Sequence, residues 1–267
     1  MDYSRQPNAK PIVAEFGSDM VREYRSGAEL AELAGCSECA VTKHLRGTRP
    51  LPKKVAAMGV TAVRYKYGNR QQPEYRPMRV LVACEFSGRV RDAIIAEGHE
   101  ALSCDLLPTE TPGPHYEGDL RDVIHAGWDM MIAFPPCTHL CSSGAAWFEE
   151  KRNAGLQWAG ISFVRELWAA PIPRIAIENP IGVLSTKWRS PDFVIHPWQF
   201  GHGVTKETWI WTKNLPPLVP TDVVDGREPA IHNASRSEDR WKYRSRTFNG
   251  VAKAMAKQWC HPIRVGL

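Results

Sequence analysis

The run Arg79–Phe86 (RVLVACEF) is apolar at almost every position. A stretch this short and this uniformly apolar reads as a strand buried within a sheet, and helices must then cover the sheet. It is followed by Ser87-Gly88, which opens a helix expected to run to about Glu97. The same alternation continues down the chain. Glu100–Leu106 reads as a second strand, with a short third near His115–Asp119 and a fourth over Trp128–Ala133. A long helix is expected around Glu149–Ala169, then a fifth strand over Arg174–Ile177, an edge strand over Thr208–Thr212 and a last helix over Thr247–Trp259. Strands alternating with helices predict an α/β fold with a doubly wound, mostly parallel sheet. Ligands of such sheets bind at the carboxyl ends of the strands.

Two of those ends carry chemistry. Phe134-Pro135-Pro136-Cys137 follows the run Met130–Ala133, and Glu178-Asn179-Pro180 follows Ile175–Ile177. A thiol and a carboxyl on neighbouring strands can converge on one small ring. The pairing suits attack on a pyrimidine: the cysteine adds to the ring and the acid protonates a ring nitrogen, which makes the far carbon nucleophilic.

Composition narrows the setting. The 267 residues have room for one large and one small domain. No run of about eighteen apolar residues marks a membrane span, and Met1-Asp2-Tyr3-Ser4-Arg5 lacks an apolar signal core. A cytoplasmic protein is expected. Seven irregularly spaced cysteines do not make a disulfide framework. Cys36 and Cys39 lack a second pair, and Cys137, His139 and Cys141 lack a fourth ligand, so no metal is expected.

The charge is uneven. Of the 34 Lys and Arg, 13 fall in residues 1 to 77 against 8 acidic residues, while residues 78 to 267 hold 21 of each sign. The whole excess of +5 sits in the front section, which suits an anionic partner. There, Ser26–Ala34 reads as an amphipathic helix, Gly35-Cys36-Ser37 as a turn with Ser37 as N-cap, and Glu38–Arg46 as a second helix. Ala31, Gly35 and Val41 match the small, turn and core positions of a helix-turn-helix DNA-binding domain, which the stretch resembles. A bare helical pair that docks on protein is the other reading. The second helix would present Glu38, Cys39, Thr42, Lys43 and Arg46 to a major groove, and Lys43, Arg46, Arg49, Lys53 and Lys54 could neutralise phosphates. The expected division is a small all-α domain over residues 1–67, a polar, proline-bearing linker over 68–77 and the α/β domain over 78–267.

The α/β section resembles a cytosine-5 DNA methyltransferase, with motifs in the family's order. The resemblance implies a Rossmann-like S-adenosylmethionine-dependent domain and double-stranded DNA as partner. Phe86-Ser87-Gly88 resembles the motif whose glycine turn lies against the cofactor. Asp105 stands where an acidic residue holds the ribose hydroxyls, and Asp119, in Gly118-Asp119-Leu120, where an aspartate accepts from the adenine amine. Pro135 belongs to the PPC motif, with Cys137 as implied nucleophile; Glu178, 41 residues on, is the implied acid. Asn249-Gly250-Val251 resembles the motif that closes the cofactor pocket. His139 is expected either to line the pocket or to cap the next helix.

The departures shape the expectation. After Gly88 the usual further glycines are absent. The Gln-x-Arg-x-Arg pattern that supports the target base is replaced by Phe200–Thr208, so Lys206, or Arg244 and Arg246, is the expected source of the cation. Only about 30 residues separate Thr212 from Arg244, where the family carries a target-recognition region. Compact phage-type members share this short form, which implies the cytoplasm of a bacterial or phage-infected cell, with the helix-turn-helix taking over part of the targeting. Three alternatives stand beside methylation of DNA: an enzyme of free cytosine nucleotides, an enzyme adding another group to DNA cytosine, and a DNA-binding regulator with an inactive methyltransferase-like domain.

Overall fold

The computed structural model describes residues 12–16, 20–65, 74–229 and 240–265. The start Met1–Arg5 and positions 68–73 of the expected linker lie outside the described residues. The chain divides into two compact units, Met1–Glu74 and Tyr75–Leu267.

The front unit is not all-α, as the sequence reading had it. It pairs strand β1 (Ile12–Phe16) antiparallel with β2 (Met20–Tyr24) and with β3 (Ala62–Tyr65). Ile12, Val13 and Ala14 are buried, so β1 belongs to the core and needs a paired backbone. The helices are α1 (Gly27–Leu33), α2 (Glu38–Leu45) and the short α3 (Lys53–Ala56). Ser26 caps α1 by accepting from the Glu29 N–H, whereas Ser37 stands at the α2 N-cap without a side-chain bond. In the connection between them Gly35 takes φ +62°, and Ala31 and Val41 are buried. Leu30, Val55, Val60 and Val63 complete this core.

After the front unit comes β4 (Glu74–Arg76), which pairs with β12 (Ile263–Val265). Positions 74–76 of the expected linker are therefore strand. The remaining strands are β5 (Arg79–Ala83), β6 (Glu100–Asp105), β7 (His115–Glu117), β8 (Met130–Ala133), β9 (Arg174–Pro180), β10 (Phe193–Ile195) and β11 (Thr208–Lys213). They form one sheet in the order β10-β11-β9-β8-β5-β6-β7. The five strands from β7 to β9 run parallel; β11 is antiparallel to both of its neighbours. Thr208–Thr212 is thus an inner strand and not the expected edge. The edge is β10, whose three residues are too few to show alternation.

Helices cover both faces. Alternate residues of β5 and β8 point to opposite sides. Val80, Val82, Met130 and Ile132 pack with α4 (Arg89–Ala96) and α9 (Asn249–Trp259). Leu81, Met131, Ile175 and Ile177 pack with α6 (Leu156–Ala169). The expected long helix is two, α5 (Phe148–Asn153) and α6, because Gly155 between them turns at φ +72°. The short helices α7 (Leu184–Lys187) and α8 (Arg240–Ser245) lie in connections. From β5 the chain winds outward to β6 and β7, then returns to β8 on the other side. The reversal opens a crevice at the carboxyl ends of β5 and β8, the usual ligand position in such sheets. Among the described residues no helix is long and apolar enough to cross a membrane.

Candidate active site

At that reversal lies a cavity of about 910 Å³. One part is walled by the turns after β5 and β6, the other by the ends of β8 and β9. The volume lies in the upper part of the range for small-molecule sites.

The β5 turn is tightly built. Cys84 adopts φ +58°, a conformation few side chains take, and redirects the chain. Gly88 takes φ +75° at the N-cap of α4, and a Cβ there would stand 2.0 Å from Thr111 Oγ1. Only glycine fits. Phe86 and Ser87 line the cavity; Gly88 does not, and its part is to shape the turn. Glu85, which sequence reasoning passed over, is 4% exposed and also lines the cavity. Its Oε1 accepts from Ser87 Oγ and from the Arg89 N–H, while Oε2 has no partner among the described residues. Burial pushes its acid strength down, so its pKa is raised.

The β6 turn is held from beneath by Arg91, which is fully buried. It donates to Ser103 Oγ at 3.1 Å, Thr109 Oγ1 at 3.2 Å and Thr111 Oγ1 at 2.8 Å. This fixes Asp105 and Leu106 on the cavity wall. The Asp105 carboxyl is raised in pKa, chiefly by burial. Trp241 of α8 closes this part, its ring 5.9 Å from that of Phe86. Asp119 is placed elsewhere. It caps the 3₁₀ turn Leu120–Asp122 and pairs with Arg121 at 3.1 Å, and it does not line the cavity. The Arg121 backbone N–H, then its side chain, hold the Asp119 carboxyl below the usual range.

Cys137 and Glu178 meet in the other part. Phe134 continues the β5–β8 pairing by donating to the Ala83 carbonyl at 2.9 Å, and the Pro135 carbonyl accepts from buried Asn179 Nδ2 at 2.9 Å. The asparagine of the second motif thus ties the loop of the first to β9. Lys206 Nζ stands 3.7 Å from Glu178 Oε1 and donates to the Arg244 carbonyl at 3.4 Å. Of the three expected cations, Lys206 and Arg244 line the cavity. Arg246 does not; it is bound bidentately to Glu110, at 2.6 and 2.8 Å.

Asn249 starts α9 outside the cavity lining. Its neighbour Gly250 donates its N–H to His202 Nε2 at 2.9 Å, and a Cβ there would fall 1.7 Å from the Phe200 carbonyl oxygen. This motif therefore packs α9 against the Phe200–His202 segment. His139 follows neither expectation: Thr138 lines the cavity, His139 does not, and Cys141 is the residue that caps the next helix. All seven cysteines are free thiols. In the front unit Arg46, Arg49, Lys53 and Lys54 are exposed, with Thr42 and Lys43 half-buried.

No protein-family model matches the chain, and no curated protein matches it in sequence. Among solved structures it is similar to the Dnmt2 methyltransferase of S. pombe, at 13% identity and a TM-score of 0.34, over 58% of this chain and 53% of that one. It is also similar to the Entamoeba histolytica methyltransferase EhMeth, at 12% identity and a TM-score of 0.37, over 61% of each chain. The chain thus spans between half and two thirds of the length of these two proteins.

Proposed function

We propose that the protein is an S-adenosylmethionine-dependent methyltransferase that modifies carbon 5 of cytosine in DNA. The observation that carries the reading is the convergence of Cys137 and Glu178 on one cavity whose other part presents Phe86, Ser87, Asp105 and Trp241. A nucleoside cofactor suits that part: aromatic rings for a base, a carboxylate for ribose hydroxyls, and the orphaned Glu85 Oε2 as a further acceptor. When bound, the cofactor supplies the methyl group.

The chain's own residues supply the rest. The target cytosine is swung out of the duplex, at an unstacking cost of a few kcal/mol. The Cys137 S–H proton passes to water as its Sγ bonds to carbon 6. Glu178 donates to the ring nitrogen beside the amine, and the electron density gathers at carbon 5. Lys206, 3.7 Å away, balances the charge left on Glu178 once its proton has moved to the ring. Once carbon 5 carries the new methyl, water takes its remaining proton, the carbon–sulfur bond breaks to release the Cys137 thiolate, and the ring nitrogen returns its proton to Glu178.

The front unit would deliver the DNA. Helices α1 and α2 with the Gly35 turn support a helix-turn-helix, with Lys43 on the second helix and Arg46 and Arg49 after it to meet phosphates. The test is mass spectrometry of nucleosides in DNA incubated with purified protein and S-adenosylmethionine. It should yield 5-methylcytosine, and calorimetry should show cofactor binding. Unmodified cytosine with no cofactor heat would refute the reading; another group at carbon 5 would replace methyl and keep the Cys137 chemistry.

A further inference from the structure

The turn after β5 buries a carboxyl with only one of its oxygens engaged. Glu85 donates its backbone N–H to the Cys104 carbonyl of β6 at 3.1 Å, which fixes it beside the end of that strand. The residue is 4% exposed and lines the cavity. Its Oε1 is satisfied, accepting from the Ser87 hydroxyl and from the Arg89 N–H at 3.2 Å. Its Oε2 has no hydrogen-bond partner among the described residues. The cations nearest in sequence direct their side chains elsewhere. Buried Arg91 donates to Asp92, Ser103, Thr109, Thr111 and the Pro112 carbonyl, and the Arg89 guanidinium donates to the Thr247 carbonyl at 2.9 Å.

Burial is the chief influence against the Glu85 anion, and the Asp92 carboxylate adds to it; Ser87, Arg91 and the Arg89 N–H offset this in part. A buried carboxylate oxygen without a donor is costly, and a ligand that brings both an N–H and a positive charge relieves it. The sheet order shows which part of the cofactor comes here. β5 lies between β6 and β8, which are roughly 10 Å apart at ordinary strand spacing. In the proposed function the ribose hydroxyls sit at Asp105, the last residue of β6, and the methyl group must reach a pyrimidine at Cys137, beyond β8. The cofactor's sulfur joins ribose and methyl, so its amino-acid arm starts at the β5 turn. Of the groups available there, the α-ammonium is a cation with N–H bonds to give. The sulfonium is a cation with none, and the carboxylate is repelled.

We propose that Glu85 Oε2 accepts from the α-ammonium of the cofactor's amino-acid arm, and so selects ligands that carry that group. The inference rests on the proposed function and adds a specificity-determining residue to it.

Calorimetry on the full chain tests it with three ligands. They are S-adenosylmethionine, S-adenosylhomocysteine, which lacks the sulfonium charge, and a deaminated S-adenosylhomocysteine in which hydrogen replaces the amine. Wild type should bind the deaminated ligand about 10- to 100-fold more weakly than S-adenosylhomocysteine, the scale of a hydrogen bond to a charged group. Glu85→Gln keeps an amide oxygen for Ser87 and Arg89 and puts an NH₂ group in place of Oε2. It should bind both amine-bearing ligands at least about tenfold more weakly than wild type does, and the deaminated one equally well. Equal wild-type affinity for S-adenosylhomocysteine and its deaminated form would overturn the proposal without recourse to any variant. So would a Glu85→Gln protein that keeps the preference for the amine, or one that loses all three ligands alike, since the residue would then only hold the turn. Weakening of S-adenosylmethionine alone would place the sulfonium at Glu85 instead. If wild type gives no heat with either amine-bearing ligand, the proposed function fails and takes this inference with it; binding of both without a preference for the amine defeats the inference alone.

Discussion

Glu178 and Lys206 are worth more as a pair than either residue suggests. The Lys206 ammonium stands 3.7 Å from the Glu178 carboxyl, and both side chains are largely buried, so removing either leaves the other without its ion-pair partner. Glu178→Gln should leave cofactor binding intact and lower methyl transfer by about 10²-fold or more, because an amide delivers no proton; a rate within a few-fold of wild type would remove the acid role. Arg246 makes a contrasting case. Its guanidinium holds the Glu110 carboxyl below the usual range, so the ion pair contributes stability above the unfolded carboxylate value of about 4.3 and loses it as pH falls through the lowered folded value. Arg246→Met should therefore unfold at lower urea concentration than wild type near pH 7, and the gap should close toward about pH 2. It should change DNA affinity little. A large loss of affinity with an unchanged urea midpoint would return Arg246 to the nucleic-acid surface. At this scale the sequence displays Cys137, Glu178, Asp105 and Lys206 through short, chemically distinctive neighbours. It hides Glu85, Arg91 and Trp241, because their importance lies in burial and in contacts made across loops.

Among the elements, the loop after β8 depends on the segment after β9. A Cβ at Gly182 would stand 2.1 Å from the Leu140 carbonyl oxygen, so Gly182→Ala must push the Cys137–Cys141 turn away from β9. The expected result is loss of most methyl transfer, with destabilisation of about 1–3 kcal/mol from overpacking, read by urea denaturation. Normal activity in this variant would show that the turn is not held as described. The same scale shows why some elements were legible. β5, β8 and the core of β9 are buried on both faces, so their sequence is apolar without interruption. β1 to β3 and β10 are brief, and β3 and β10 are placed by partners distant in sequence, as in Ile12 with Tyr65 and Phe193 with Ile210. The break at Gly155 was not legible, because only its positive φ makes it a boundary.

For the whole molecule, the division of labour between the two units can be tested by truncation, and the structure changes where the cut belongs. Arg76 grips Asp129 bidentately at 2.6 and 2.7 Å, and β4 pairs with β12. A chain starting at residue 78 loses both; one starting at residue 70 keeps them. The longer fragment should bind S-adenosylmethionine as the full protein does and lose most DNA affinity, and its fitted salt slope should be shallower by about one unit for each phosphate contact removed. Equal DNA affinity in the fragment would assign the front unit to another partner. The overall α/β order was readable because each strand is an unbroken apolar run and each helix spaces its apolar residues three to four apart. The added sheet in the front unit was not, since its strands lie on either side of a clear helical pattern.

The most direct test of methyl transfer through Cys137 is covalent trapping on DNA that carries 5-fluorocytosine. Fluorine on carbon 5 blocks the last elimination, so the enzyme should remain attached once the methyl group has moved. The full chain, incubated with S-adenosylmethionine and this DNA, should give a band that survives denaturing electrophoresis, and peptide mass spectrometry should place the bond on Cys137. Cys137→Ser should give none, because its hydroxyl stays protonated near neutral pH. Omission of S-adenosylmethionine should also remove the band. No adduct from the wild type on DNA that it otherwise methylates, a bond on Cys141, or a band that persists in Cys137→Ser would contradict the mechanism.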